Sequence, residues 1–323
     1  MENTMTKSRT NVVSKIMSSF MIYIVLALLI LAVSVMSGGR FLAVTNILNV
    51  LRQVTITGTL AIGMTGVLIT GGIDLSVGSV MAIAGVLAAD MAHTASGTPV
   101  IVAVLVGLLV GLAFGSLNGV LIAYLKAPAF IVTLGVQSIA RGLAYIYTQG
   151  SPVIDLSDSY KFIGQGEILG IPFPVYVFIA IVAVEIFILH FTKLGRYIFA
   201  TGNNESAAIA SGVRTKNVKM FVYCSCGVLA GFAGLLLASR TSSAVPNAAS
   251  GYELDAIAAA VIGGTSTAGG SGSVYGTVVG ILILGILSNG LDILNVSSYI
   301  QQVVKGIVII AAVLLDVMNK KNK

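Results

Sequence analysis

Ser76, Ser79, Thr265 and Ser266 carry hydroxyls inside glycine-rich interruptions of apolar sequence. Asp74 shares the first interruption, flanked by Ile73 and Leu75. These residues supply hydrogen-bond donors and acceptors and one acid. They do not supply a nucleophile with its base, because no histidine stands near either serine group. His93 and His190 each stand alone near the end of an apolar run, where interfacial packing is the expected role. Cys224 and Cys226 are two residues apart and so face different sides of a helix, which predicts neither a disulfide nor a metal pair. No G-x-x-x-x-G-K-S/T loop occurs, so the chain has no phosphate cradle of its own. The chemistry on offer is hydrogen bonding, not covalent catalysis.

A second group lies between Lys193 and Lys219. Lys193, Arg196, Arg214, Lys216 and Lys219 face a single acid, Glu205. Asn203 or Asn204 can N-cap a short helix, and Glu205 then sits where the positive helix end favours an acid. Ser206 to Ser211 suffices for about two turns. Gly212 is a natural stop, since glycine takes the left-handed conformation cheaply. The helix surface is small, with Ala207, Ala208 and Ala210. It is either a docking surface or a solvated connector.

The elements that must position these groups are membrane spans. Apolar residues make up 56% of the 323, charged residues only 9%, and mean hydropathy is +0.99. A soluble domain carries roughly a quarter charged residues, so the composition specifies an all-α integral membrane protein. The net charge of +6 does not point to nucleic acid. Most Lys and Arg cluster near the N-terminus (Lys7, Arg9, Lys15), in the 191–219 loop and at the C-terminus, which is positive-inside patterning. The run over 17–36 is longer than a secretory apolar region of about 7–15 residues and is read as a retained first span.

Spanning runs of roughly 20 residues follow over 51–70, up to Met91, 99–124, 129–147, 173–190, 220–238, 274–290 and 301–318, with a short run at 254–263. About ten spans put both termini in the cytoplasm. Residues 1–15 and 320–323 are then cytoplasmic tails, and 16–319 is one membrane domain. Thr45 and Asn46 are cap candidates for the second span, and 148–172 is the longest outer loop. Gly107, Gly111, Gly115 and Gly119 recur at steps of four, as in close helix packing. Arg141 and Glu185, two charges at membrane depth, are candidates to pair across helices.

Two interruptions echo each other: GGIDLSVGSV at 71–80 and GGTSTAGGSGSV at 263–274. Irregular backbone at membrane depth must be buried in protein or line a wet cavity. Paired broken segments point to a transport pathway. Gly71, Gly72, Asp74, Ser76, Gly78, Ser79, Gly263, Gly264, Thr265 and Ser266 are therefore candidates for a pathway or gate, the other readings being surface loops or tight packing. Asp74 suits a structural role, closing its own turn with Ser76.

With these segments together, the chain resembles the ribose permease and monosaccharide permease family of bacterial ABC importers. The resemblance rests on Gly71–Ser79, Arg141-Gly142, Tyr147 to Val153, Leu194 to Tyr197, Asn204 to Gly212, Gly251–Ala260, Gly263 to Ser266, Asn289 to Leu291 and Val296 to Tyr299. It runs almost end to end in family order. It implies a non-enzymatic transport subunit for ribose or a related sugar in the bacterial plasma membrane, contacting lipid and paired with a second permease copy. A separate cytoplasmic ATPase would bind ATP-Mg, and a sugar-binding protein would work outside. It also implies that Asn203, Asn204, Glu205, Ala207, Ala208, Ser211 and Gly212 form the coupling helix seated in the ATPase. An ion-coupled secondary sugar transporter is the alternative, weakened by the scarcity of acids at depth.

Overall fold

The computed structural model describes residues 21–321, with side chains as far as Leu314. The expected tail 1–15, the first residues of the first span and residues 322 and 323 lie outside the described residues.

The described chain is almost wholly helical. The helices are α1 (Met21–Met36), α2 (Val44–Ile69), α3 (Val77–Met91), α4 (Val100–Gly119) and α5 (Ala129–Thr148). Next come α6 (Asp158–Gln165), α7 (Phe173–Ile186), α8 (Lys193–Asn203) and α9 (Glu205–Ala210). The series ends with α10 (Thr215–Thr241), α11 (Tyr252–Ile262), α12 (Val274–Ile293) and α13 (Ser298–Lys321). Wider π turns extend α4 to Tyr124 and α7 to Phe191. Six of these helices are long and apolar enough to cross a membrane: α2, α4, α5, α7, α10 and α12.

α10 is the centre of the bundle, packed by α2, α3 and α4. Its contact with α4 works because glycine faces glycine. A side chain at Gly111 would strike the backbone of Gly227, and one at Gly231 would strike Gly107. The glycines spaced by four therefore do the packing expected of them, bringing two backbones together where lipid gives no hydrophobic drive for association. α2 and α12 pack side by side and are tied near both ends. Asn46 and Asn289 exchange amide hydrogen bonds of 3.0 and 2.9 Å, and the Thr65 and Thr277 hydroxyls meet at 2.8 Å. Asn46 is thus no cap: α2 begins at Val44, and its N-cap, Ala43, makes no side-chain bond.

The 148–172 segment is more ordered than a plain loop. It holds α6 and a small hairpin of β1 (Glu167–Ile168) with β2 (Ile171–Pro172), antiparallel. Tyr160 anchors α6 in a small core with Leu156 and Leu235. The Ser239 hydroxyl accepts from Gly164 N–H and donates to the Tyr160 carbonyl.

Candidate functional site

The 191–219 segment contains two helices where one was expected. Thr192 caps α8, its Oγ1 accepting from Gly195 N–H at 3.2 Å. α8 buries Gly195, Ile198 and Thr201 and exposes Lys193, Arg196 and Tyr197. The pattern is a helix lying along a surface, with Leu194, Ile198 and Phe199 turned to the core. Asn204 is the cap of α9, its Oδ1 accepting from Ala207 N–H at 2.9 Å. Gly212 takes φ +85°, the left-handed stop anticipated.

The faces of α9 are unequal. Ala208 is 5% exposed and packs inward, whereas Ser206, Ala207, Ile209, Ala210 and Ser211 are open. Glu205 binds within the chain, accepting from Lys219 Nζ at 2.7 Å. Its partial burial works to raise the carboxyl, but the Lys219 hydrogen bond and charge outweigh that and hold it below the ordinary value.

Both glycine breaks and the α8–α9 turn meet at one point. The Gly270 N–H donates to the Ile69 carbonyl at 2.9 Å, and Asn203 Nδ2 donates to the Gly270 carbonyl at 3.2 Å. Gly202 lies so close to Ile69 that a side chain there would collide with its carbonyl. Ile69 closes α2, whose last carbonyls have no partner within the helix. Thr70, Gly71 and Gly72 serve the carbonyls of Gly66, Val67 and Leu68, and the second break supplies the donor for Ile69.

Within the first break, Asp74 does what its neighbours allow. Its Oδ1 accepts from Ser76 N–H at 2.9 Å and from Ser76 Oγ at 2.6 Å. Asn118 Nδ2, from α4, donates to Asp74 Oδ2 at 3.2 Å and to Ser76 Oγ at 2.9 Å. Asp74, Ser76, Gly78, Ser79, Thr265 and Ser266 are buried, Gly72 and Gly263 half-buried, and Gly71 and Gly264 exposed. In this arrangement the side chains of Ser76, Ser79, Thr265 and Ser266 face protein.

Arg141 and Glu185 do not pair, correcting that expectation. Arg141 Nη1 donates to the carbonyls of Pro246 and Ala248 at 2.6 and 2.7 Å. Glu185 is buried on α7 with an oxygen facing Gly66 of α2. The acid on the Arg141 side is Glu253, in the first turn of α11, whose Oε1 accepts from Gln137 Nε2 at 3.2 Å. Sequence reading passed over Glu253 because the segment ELDAIAAA reads as the exposed start of a helix. Among the described residues no His, Cys, Asp and Glu group could hold a metal ion.

Against known families, residues 46–313 match the model described as branched-chain amino acid transport system / permease component. The chain belongs to this family of transport permeases. The permease is similar to the ribose import permease protein of Bacillus subtilis, 48% identical over 90% of each chain. It is 45% identical to that of Escherichia coli K12 over 92% of each chain. It is 36% identical to the xylose transport system permease protein of Haemophilus influenzae, covering 94% of this permease and 96% of the relative. No solved structure matches it. As a permease component it is a transport subunit and not an enzyme, and its place is the bacterial inner membrane.

Proposed function

We propose that this permease is the membrane subunit of an ABC importer for a monosaccharide, foremost ribose or a related sugar. The observation that carries this is identity of 45–48% to ribose permeases over nine-tenths of the chain. The family description names amino acids, but relatives that match over nine-tenths of the chain or more carry the names of ribose, xylose and allose.

The α8–α9 end faces the cytoplasm, because the basic residues Lys193, Arg196, Arg214, Lys216 and Lys219 gather there. About ten segments lie in the membrane, counting α1, α3 and α13 with the six long helices and α11, which with 11 residues is too short to span alone. Both termini are cytoplasmic, residues 16–319 form one membrane domain, and 320–323 is a tail. The partners are a cytoplasmic ATPase that binds ATP-Mg, a sugar-binding protein outside, a second permease copy and lipid. The permease itself needs no cofactor.

Residues 203–212 are the coupling element, with Asn204 and Gly212 shaping it and Asn203 linking it onward. Ala207, Ile209 and Ser211 meet the ATPase, while Ala208 holds the helix to its own chain. Glu205 anchors α9 to α10 through Lys219 rather than reaching for the ATPase. Motion of α9 reaches the two breaks directly at the Asn203, Gly270 and Ile69 junction. Gly71, Gly72, Asp74, Ser76, Gly78, Ser79, Gly263, Gly264, Thr265 and Ser266 form the gate that this motion works.

Uptake of labelled D-ribose into proteoliposomes tests the function. The expected result is uptake that requires ATPase, ATP and binding protein together. Accumulation by the permease alone on an ion gradient would establish the secondary-transporter alternative.

A further inference from the structure

The second residue of α3 and the second residue of α11 are in contact, which brings the starts of two interrupted helices together. They are Gly78 and Glu253. A Cβ on Gly78 would collide with Glu253 Oε2 and lie 2.6 Å from the Ala249 carbonyl. The glycine therefore leaves the space that the carboxylate occupies.

Glu253 is only 8% exposed. Gln137 satisfies Oε1, but among the described residues Oε2 has no hydrogen-bond partner. Ser79, the neighbour of Gly78, has a buried Oγ in the same condition. A buried acceptor without a donor costs free energy, more so when charged. Arg141 lends its charge from nearby, and the backbone of Gly251 and Glu253 favours the carboxylate, but the Arg141 hydrogen bonds go to Pro246 and Ala248, holding the stretch of chain that leads into α11. A residue kept only for packing would be better apolar.

The cluster borders the surface of α5, while Glu253 Oε2 itself is buried in this arrangement. Gln137 and Arg141 are half-buried on α5, whose lipid-type positions Ile131, Leu134 and Ile139 are exposed. Polar side chains at such depth face water or protein, not lipid. One turn further along α3 lies a cavity of about 230 Å³ lined in part by Met81, Ala82, Gly85, Gly234, Thr241 and Ala248. Ala248 is shared with the Arg141 contact. Drug-sized ligands occupy roughly 300–1,000 Å³, so this space suits a smaller guest.

We infer that Glu253, positioned by Gln137 and given room by Gly78, is a contact point for a hydroxyl of the transported sugar; this rests on the importer reading above. A carboxylate only accepts hydrogen bonds and a sugar hydroxyl can donate one. Bonds of this charge-assisted kind are the stronger class. A neutral polyol fills the vacancy at Oε2 without adding charge, and leaves again when α3 and α11 part.

The test is uptake by the reconstituted complex of permease, ATPase and binding protein. The probes are D-ribose, 2-deoxy-D-ribose, D-xylose and D-allose. Glu253→Gln is expected to lower D-ribose uptake about tenfold, the scale of one charged hydrogen bond, and to alter preference among the sugars carried. Gln137→Ala is expected to shift preference in the same direction and serves if Glu253→Gln does not yield monodisperse protein. In a chain with Cys224 and Cys226 replaced, a cysteine introduced by Gln137→Cys is expected to react more slowly with a thiol reagent while D-ribose is being carried. Uniform loss for every sugar, with labelling indifferent to turnover, assigns Glu253 a structural role and overturns the proposal. Protection by a monovalent cation instead of sugar overturns it as well. A wild-type complex that carries no sugar overturns the importer reading and this proposal with it.

Discussion

Gly270 donates its backbone N–H to the carbonyl of Ile69 at 2.9 Å, joining the second glycine break to the end of the helix that precedes the first. The bond matters because Asn203, at the end of α8, holds the other side of Gly270. Two segments separated by about two hundred residues of chain therefore share one anchor with the α8–α9 turn. Asn203→Ala removes two side-chain bonds, to the Phe199 and Gly270 carbonyls, each worth about 0.5–1.5 kcal/mol. The expected outcome is a stable permease whose complex hydrolyses ATP with reduced sugar uptake. Parallel ATPase and uptake measurements on one preparation check it. Equal loss of both would place the junction outside the coupling route.

Gly202→Ala acts on the same junction through bulk. A methyl group there meets the Ile69 carbonyl, and overpacking of this kind typically costs about 1–3 kcal/mol. A lower melting temperature of the detergent-purified permease is the expected reading.

The unequal faces of α9 separate docking from folding. Ala207 is open and Ala208 is buried against the chain. Ala207→Trp is expected to abolish co-purification with the ATPase while the permease stays monodisperse. Ala208→Trp is expected to destabilise the permease before any partner is added. Co-purification and normal transport by Ala207→Trp would make α9 a plain connector.

Glu205 and Lys219 give the α9–α10 contact a pH dependence with a defined sign. The folded carboxyl lies below its ordinary value, so its stabilisation is present at neutral pH and above. It is lost as pH falls through the folded pKa, below the usual carboxylate range. Both side chains are partly exposed, so the effect is small, about 0–1 kcal/mol. The protection of amides in 205–210, expressed relative to the intrinsic exchange rate at each pH, is expected to fall on acidification in the wild type. In Glu205→Gln that protection is expected to be low already at neutral pH.

Asn46 and Asn289 form a mutual amide pair between α2 and α12, and Asn46 also donates to the Phe41 carbonyl. Asn46→Ala alone leaves one amide unpaired, at about 1–3 kcal/mol. The double change with Asn289→Ala is expected to cost less than the sum of the singles. A thermal double-mutant cycle measures the difference, and strict additivity would mean that the amides do not couple.

Much was legible in the sequence because it depends on local or one-dimensional properties. Hydropathy over a window of about twenty residues marks the spans, since each must meet the same thickness of hydrocarbon. Glycines at steps of four lie on one helix face wherever the helix goes, so Gly107, Gly111 and Gly115 announced the packing against α10. Gly212 and Asn204 act through neighbouring backbone, and Asp74 closes a turn with a residue two positions away.

Other features depend on which distant segments touch, and a single chain carries no direct sign of that. Arg141 was free to pair with Glu185 until folding set Pro246, Ala248 and Glu253 around it. Asn46 had the composition of a cap, yet Asn289, far along the chain, claimed its amide. Ala207 and Ala208 are identical in type, and only the packing beneath α9 makes one a surface residue and the other an anchor. Gly270 reads as one more glycine in a flexible run, whereas the tertiary structure makes it the bridge between Ile69 and Asn203. The carboxylate of Glu253 likewise acquired its meaning when Gly78 came to lie against it.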